Sequence, residues 1–81
     1  IVEPYLITLT DRSDTFPTFQ HDGTEMIYLL EGRLGYRHGD SLHHLEPGDT
    51  LFFDADAPHG PEELTELPIR FLSVISYRDP S

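Results

Sequence analysis

Three residues of this chain are suited by type to hold a reactive centre: His21 and Glu25, within His21-Asp22-Gly23-Thr24-Glu25, and His59, thirty-four positions beyond the glutamate in Pro58-His59-Gly60. Two neutral imidazoles and a carboxylate are a donor set for borderline divalent ions such as Fe, Mn, Co, Ni or Zn, and a facial arrangement leaves positions for water or a ligand. A His-x3-Glu pair with one distant histidine is not specific by itself. The plain alternative is three solvated side chains.

To act together, the three must be carried by elements that face one another. Side chains alternate sides along an extended strand, so His21 and Glu25, four apart, can face the same way across the Asp22-Gly23 turn, and His59 must then arrive from a neighbouring strand. The rest of the chain supplies such strands. Apolar runs are short, rich in β-branched and aromatic residues, and closed by Gly, Pro or Asp, which predicts an all-β fold. Strands are expected at residues 5–10, 19–21, 25–30, 34–37, 42–45, 50–53 and 69–77, with Asp11 to Pro17 as a polar loop whose Pro17 starts the next extended piece. Turns are expected at Glu31-Gly32, at residues 38–41 and at Pro47-Gly48-Asp49. Asp54 to Pro58 is an irregular loop delivering His59, and the acidic stretch around Glu62, Glu63 and Glu66 is a solvated bulge. In the final strand Ile69, Phe71, Ser73 and Ile75 share one face, while Arg70, Leu72, Val74 and Ser76 share the other. About eight short strands without helices argue for a sandwich or a small closed barrel.

Composition narrows the function. With 81 residues the chain is one domain with one small core, and a chain of this size buries only about 60–65% of its unfolded surface, so association would help it. The absence of cysteine removes disulfides and thiolate metal sites together and fits a reducing compartment, with the cytoplasm as the expectation. Fifteen acidic residues against five arginines, with no lysine, give a formal charge of −10, which disfavours direct contact with nucleic acid or anionic membrane. No apolar run approaches a membrane span, and the start at Ile1-Val2-Glu3-Pro4 has no signal-peptide character. That start reads as a cut from something longer.

The frame around the three residues resembles the cupin superfamily, whose motifs are G-x5-H-x-H-x3-4-E-x6-G and G-x5-P-x-G-x2-H-x3-N. His21-x3-Glu25-x6-Gly32 matches the end of the first motif, and Gly48-x5-Asp54-x-Asp56-x2-His59 matches the outer frame of the second. Phe19 stands where the first motif has its first histidine, Asp54 and Asp56 replace the proline and glycine of the second, and Glu63 replaces its asparagine. The runs 25–32, 35–40, 46–54, 59–64 and 68–76 are similar, more narrowly, to the C-terminal cupin of bacterial XRE-type helix-turn-helix transcriptional regulators.

The resemblance implies a jelly-roll β-barrel of about eight or more antiparallel strands over residues 1–81, forming the C-terminal part of a longer chain. It implies His21, Glu25 and His59 as ligands of a divalent metal (Zn, Fe, Ni or Mn), or a polar-lined pocket without one. The function implied is a module that senses a small-molecule effector or dimerises, passing its state to an N-terminal helix-turn-helix domain that makes the DNA contact. A free-standing metalloenzyme of dioxygenase, isomerase or epoxidase type is the alternative, and a sealed structural dimerisation barrel is a third.

Phe19, Leu34, Tyr36, Leu51 and Phe53 are the candidates for the apolar wall of a ligand pocket. His38, His43 and His44 have no partner at metal spacing and read as exposed polar residues. Arg33, Arg37 and Arg70 read as members of structural ion pairs. A homodimer is expected through outer strand faces carrying Met26, Tyr28 and Leu30, or Leu72 and Val74.

Overall fold

A computed structural model describes residues 1–13 and 19–78. The loop segment 14–18, where Pro17 is expected to start an extended piece, lies outside the described residues. The described residues form five strands, β1 (Val2–Leu9), β2 (Thr24–His38), β3 (Ser41–Leu45), β4 (Thr50–Asp54) and β5 (His59–Ser76). All pair antiparallel, in the order β1-β5-β2-β3, with β4 also on β2. The described residues contain no helix long and apolar enough to cross a membrane.

The two long strands, β2 and β5, are the frame. Along one edge β2 pairs with β5 from Thr24 to His38, while its other edge takes β4 beside residues 24–28 and β3 beside residues 34–38. The sequence reading places a turn at Glu31-Gly32, but there the strand bends and continues. The β2–β5 register shifts between Leu29 and Leu34, and Gly32 sits at φ 84° with no room for a side chain, since a Cβ would lie 2.4 Å from the Pro68 carbonyl oxygen. Only glycine adopts that conformation in that space without strain. The acidic stretch expected as a bulge likewise lies within β5. β2 therefore joins two of the short strands expected from sequence, and β5 joins the acidic stretch to the final one.

Alternation sorts the side chains. Cross-strand rows on the inner face are Ile7–Phe71–Leu29, Tyr5–Ser73–Ile27–Leu51 and Ile75–Glu25–Phe53. The core below them is Ile27, Leu29, Leu34, Tyr36, Leu45, Phe53, Ile69 and Phe71, and each fully buried aliphatic there contributes about 1.5–3 kcal/mol of transfer free energy. The outer face carries the rows Leu6–Leu72–Tyr28–Thr50 and Pro4–Val74–Met26–Phe52. Leu6 and Phe52 are 54% and 69% exposed there, so a band of apolar side chains crosses four strands, and its ends are left open by the described residues.

Candidate metal centre

The three candidate ligands enter from different elements and are held by backbone hydrogen bonds. Glu25 is on β2, inward-facing and buried. The Asp22-Gly23 turn brings His21 alongside it; Gly23 takes φ 105°, and a Cβ there would collide with the Ser76 carbonyl at 2.0 Å. The His21 N–H donates to the Ala55 carbonyl at 3.0 Å and the Ala55 N–H to the Gly23 carbonyl at 2.9 Å, tying this turn to the loop before His59. His59 opens β5, and its backbone exchanges hydrogen bonds of 2.7 and 2.9 Å with Phe19.

The result is one carboxylate oxygen facing two imidazole nitrogens. His59 Nε2 lies 3.1 Å from Glu25 Oε1 and His21 Nε2 lies 3.3 Å from the same atom. The two rings meet edge to face with centroids 5.1 Å apart. Ser73 Oγ donates to the other carboxylate oxygen at 2.8 Å. His59 Nδ1 is 2.9 Å from the Ala57 carbonyl and His21 Nδ1 is 3.3 Å from that of Asp22. A carbonyl only accepts, so in both rings Nδ1 carries the proton and donates.

That tautomer matters. In a neutral His59 the Nε2 lone pair points at Glu25 Oε1, which also only accepts, so something positive must lie between them. One candidate is a second proton. Burial alone would push the His59 imidazole down, but hydrogen bonds to Glu25 and Ala57 and the Glu25 charge hold it above its ordinary value. Burial alone would likewise push the Glu25 carboxyl up, yet donation from His59 and Ser73, the His59 charge and His21 keep it below its ordinary value. The other candidate is a metal ion. Donors bound to one ion at about 2.0–2.2 Å stand roughly 3 Å apart when adjacent, which matches the two nitrogen-to-oxygen spacings. One donor atom from each of the three residues falls within 4.8 Å of the others. The residues fit a divalent ion, and the carbonyls behind each imidazole are the partners that metal-bound histidines use.

His21 and Glu25, but not the buried His59, line a cavity of about 370 Å³, together with Tyr5, Ile7, Leu9, Phe19, Tyr36 and Phe71 and, along β5 and just past it, Pro61, Ser73, Ile75 and Tyr77. Phe19, half-exposed, stands at its rim with its ring 6.3 Å from that of His59. The pocket wall expected from sequence is corrected in part. Phe19 and Tyr36 line the cavity, whereas Leu34, Leu51 and Phe53 do not. Leu34 packs in the core between its cross-strand partners Leu45 and Leu64. Leu51 and Phe53 are on β4, across β2 from the β1 and β5 side chains that make the wall. Phe53 instead backs His59, ring to ring at 4.9 Å, and packs against Tyr36 at 5.7 Å. Tyr36 is 2% exposed; burial pushes its phenol far up, with the Glu25 charge adding to the shift.

Sequence reasoning missed Ser73, although the alternation of β5 already placed it on one face with Phe71 and Ile75. It also missed β1, whose Tyr5, Ile7 and Leu9 complete the wall through their pairing with β5. Neither aspartate of the second motif joins the triad. The Asp54 carbonyl accepts from His38 Nε2 at 2.9 Å, and the Asp56 side chain pairs with Arg78 at 3.0 Å. His38 is only partly exposed, its ring packed on Phe53 at 4.9 Å. Arg37 makes a bidentate pair with Glu62 at 3.1 and 2.7 Å, and Arg33 reaches Glu46 and Glu66.

A family model described as the cupin domain matches residues 5–75. This chain belongs to the cupin family. The cupin barrel is also what similar solved structures share with it. An HTH_3 family transcriptional regulator from Vibrio cholerae aligns at TM-score 0.76 and 26% identity, over 96% of this chain and 44% of the regulator. The DMSP lyase DddQ from Ruegeria pomeroyi aligns at TM-score 0.79 and 21% identity, over 99% of this chain and 40% of the lyase. Hydroxypropylphosphonic acid epoxidase from S. wedmorenis, in complex with fosfomycin, aligns at TM-score 0.73 and 20% identity, over 94% of this chain and 43% of the epoxidase. Structures of HppE with Fe(II) and with Co(II) are similar as well, at 23% and 20% identity and TM-scores of 0.73 and 0.77. The cupin chain thus spans less than half the length of each. A sequence search of the curated proteins found no match.

Proposed function

We propose that this cupin is the effector-sensing and dimerisation module of a bacterial, cytoplasmic transcriptional regulator of the XRE type, joined to an N-terminal helix-turn-helix domain that contacts DNA. Its site residues are His21, Glu25 and His59, holding a divalent metal, with the effector in the adjoining cavity. When bound, the metal supplies a Lewis-acidic position for an effector donor atom. The chain's own residues orient that position: Ala57 and Asp22 fix the imidazole tautomers, and Ser73 holds the Glu25 carboxylate.

The observation that carries this reading is the double use of β5. Phe71, Ser73 and Ile75 line the cavity, while Leu72 and Val74, between them, sit in the apolar band on the other side. A ligand that shifts this strand acts on both surfaces at once. Such a link between an internal site and a packing face is what a sensor needs. Likeness to the Vibrio regulator supports the same reading, and the net charge of −10 leaves DNA contact to another domain.

The metalloenzyme reading keeps one supporting observation, a three-residue donor set that leaves coordination positions for a substrate. Beyond the ligands, Tyr36 is the titratable group buried at the cavity, and its phenol, pushed far up by burial, stays protonated and is suited to neither general acid nor general base work. The coding sequence upstream of Ile1 decides between them. A helix-turn-helix domain there is the expected result, and a reading frame without one would remove the regulator assignment.

A further inference from the structure

We propose that the cavity takes a small monocarboxylate with an apolar body, held by the divalent ion at His21, Glu25 and His59 and by the hydroxyl of Tyr36. This ligand class deepens the effector reading and rests on it. Charge decides the headgroup. Both imidazoles are neutral when their Nδ1–H groups are given to the Ala57 and Asp22 carbonyls, so Glu25 is the single charged donor and a divalent ion held by the three leaves one positive charge over. Among the described residues no other charged side chain lines the cavity. A neutral ligand leaves that surplus buried without a partner and an amine adds to it, whereas one carboxylate cancels it. The fifteen acidic residues slow the approach of any anion, but charges farther away than about 8 Å are largely screened at physiological salt, which leaves the ion at contact in control.

A carboxylate has two oxygens, and the one not on the ion needs a donor. Ser73 gives its hydroxyl to Glu25 and Tyr5 gives its own to Glu3. Two lining phenols, Tyr36 and Tyr77, have no hydrogen-bond partner among the described residues. Tyr77 is half-buried just past β5, its ring 5.7 Å from that of His21, so water can satisfy it. Tyr36 is 2% exposed. No fully covered side-chain oxygen among the described residues lacks a partner, so the Tyr36 hydroxyl is the part of that residue that meets the open space of the cavity. Burial and the Glu25 charge keep the phenol protonated, and a buried donor left unmatched is costly until a ligand acceptor meets it. Ile7, Leu9, Phe19, Phe71 and Ile75 receive the apolar body, and 370 Å³ is at the small end of ligand sites.

A matched series tests this: phenylacetate, 2-phenylethanol and 2-phenylethylamine, with ethylbenzene as the member without a polar atom, titrated into zinc-loaded and chelator-stripped protein. Methyl shifts of Ile7 and Ile75 locate the bound probe. Phenylacetate is expected to bind the zinc-loaded protein at least about tenfold more tightly than the alcohol or the amine, and to weaken by at least about tenfold when zinc is stripped. Tyr36→Phe should weaken phenylacetate about tenfold, the loss of one hydrogen bond to a charged acceptor, while leaving zinc affinity and ethylbenzene unchanged. A larger loss from Tyr77→Phe than from Tyr36→Phe would overturn the assignment of Tyr36. The alcohol or amine binding as tightly as phenylacetate, or phenylacetate binding equally with and without zinc, would overturn the ligand class while leaving the cavity as a binding site. Failure of all four probes to shift Ile7 or Ile75 would overturn the effector cavity itself.

Discussion

His59 Nε2 lies 3.1 Å from Glu25 Oε1 while the opposite nitrogen of the same ring is committed to the Ala57 carbonyl. Two acceptors thus face each other, and a cation between them, proton or metal, is required for the arrangement to be stable. His21 addresses the same oxygen at 3.3 Å, so the three side chains converge as the donors of one divalent ion would.

Ser73 tests the support behind that oxygen. Its hydroxyl is the donor to Glu25 Oε2 and touches no other ligand of the triad. Partners of this kind are each worth about ten- to hundredfold in metal affinity, so Ser73→Ala should weaken zinc binding by about that factor in a competitive chelator titration. Circular dichroism should stay unchanged. Unaltered affinity would mean that Glu25 is held by other means.

The Arg37–Glu62 pair gives a pH dependence that involves none of the three candidate ligands. The Arg37 hydrogen bond and charge hold the Glu62 carboxyl below its ordinary value of 4.5. A group lowered on folding contributes stability that is present above its unfolded pKa and is lost as pH falls through its folded pKa. Thermal unfolding of wild type and Glu62→Gln should therefore differ most above about pH 5, with wild type the more stable, and converge in acid. A difference that persists or grows at low pH would contradict the pairing.

The outer apolar band predicts association. Phe52, at 69% exposure, lies in one row with Met26, Val74 and Pro4, and such a band calls for cover. Wild type should sediment as a dimer at micromolar concentration. Phe52→Asp, which places a charge where two copies would meet, should shift it to monomer while leaving the β-sheet signal intact. A wild-type monomer would remove dimerisation from the proposed function.

Much of this architecture was legible in sequence. The strand period gave the all-β class and put Phe71, Ser73 and Ile75 on one side of a strand, and the spacings around His21, Glu25 and His59 anticipated their meeting. Three features were not legible, each for a local reason. Gly32 reads alike as a turn or a bulge, because what decides it is the approach of Glu66 and Pro68 from far along the chain. Leu34, Leu51 and Phe53 were expected in the pocket wall and pack elsewhere, because alternation gives the side of a strand and not its neighbours across the sheet. Ser73 carries no motif, and its role appears only when the β2–β5 register sets its row beside that of Glu25.

Metal content measured on tag-free protein tests the central claim most directly. The wild-type chain should bind one divalent ion, lost to a chelator and restored by zinc or iron. His21→Ala, His59→Ala and Glu25→Gln should each lower the affinity by at least about a hundredfold, because each removes a donor or its charge. Equal metal binding by wild type and all three variants, or no binding by folded wild type, would contradict the account.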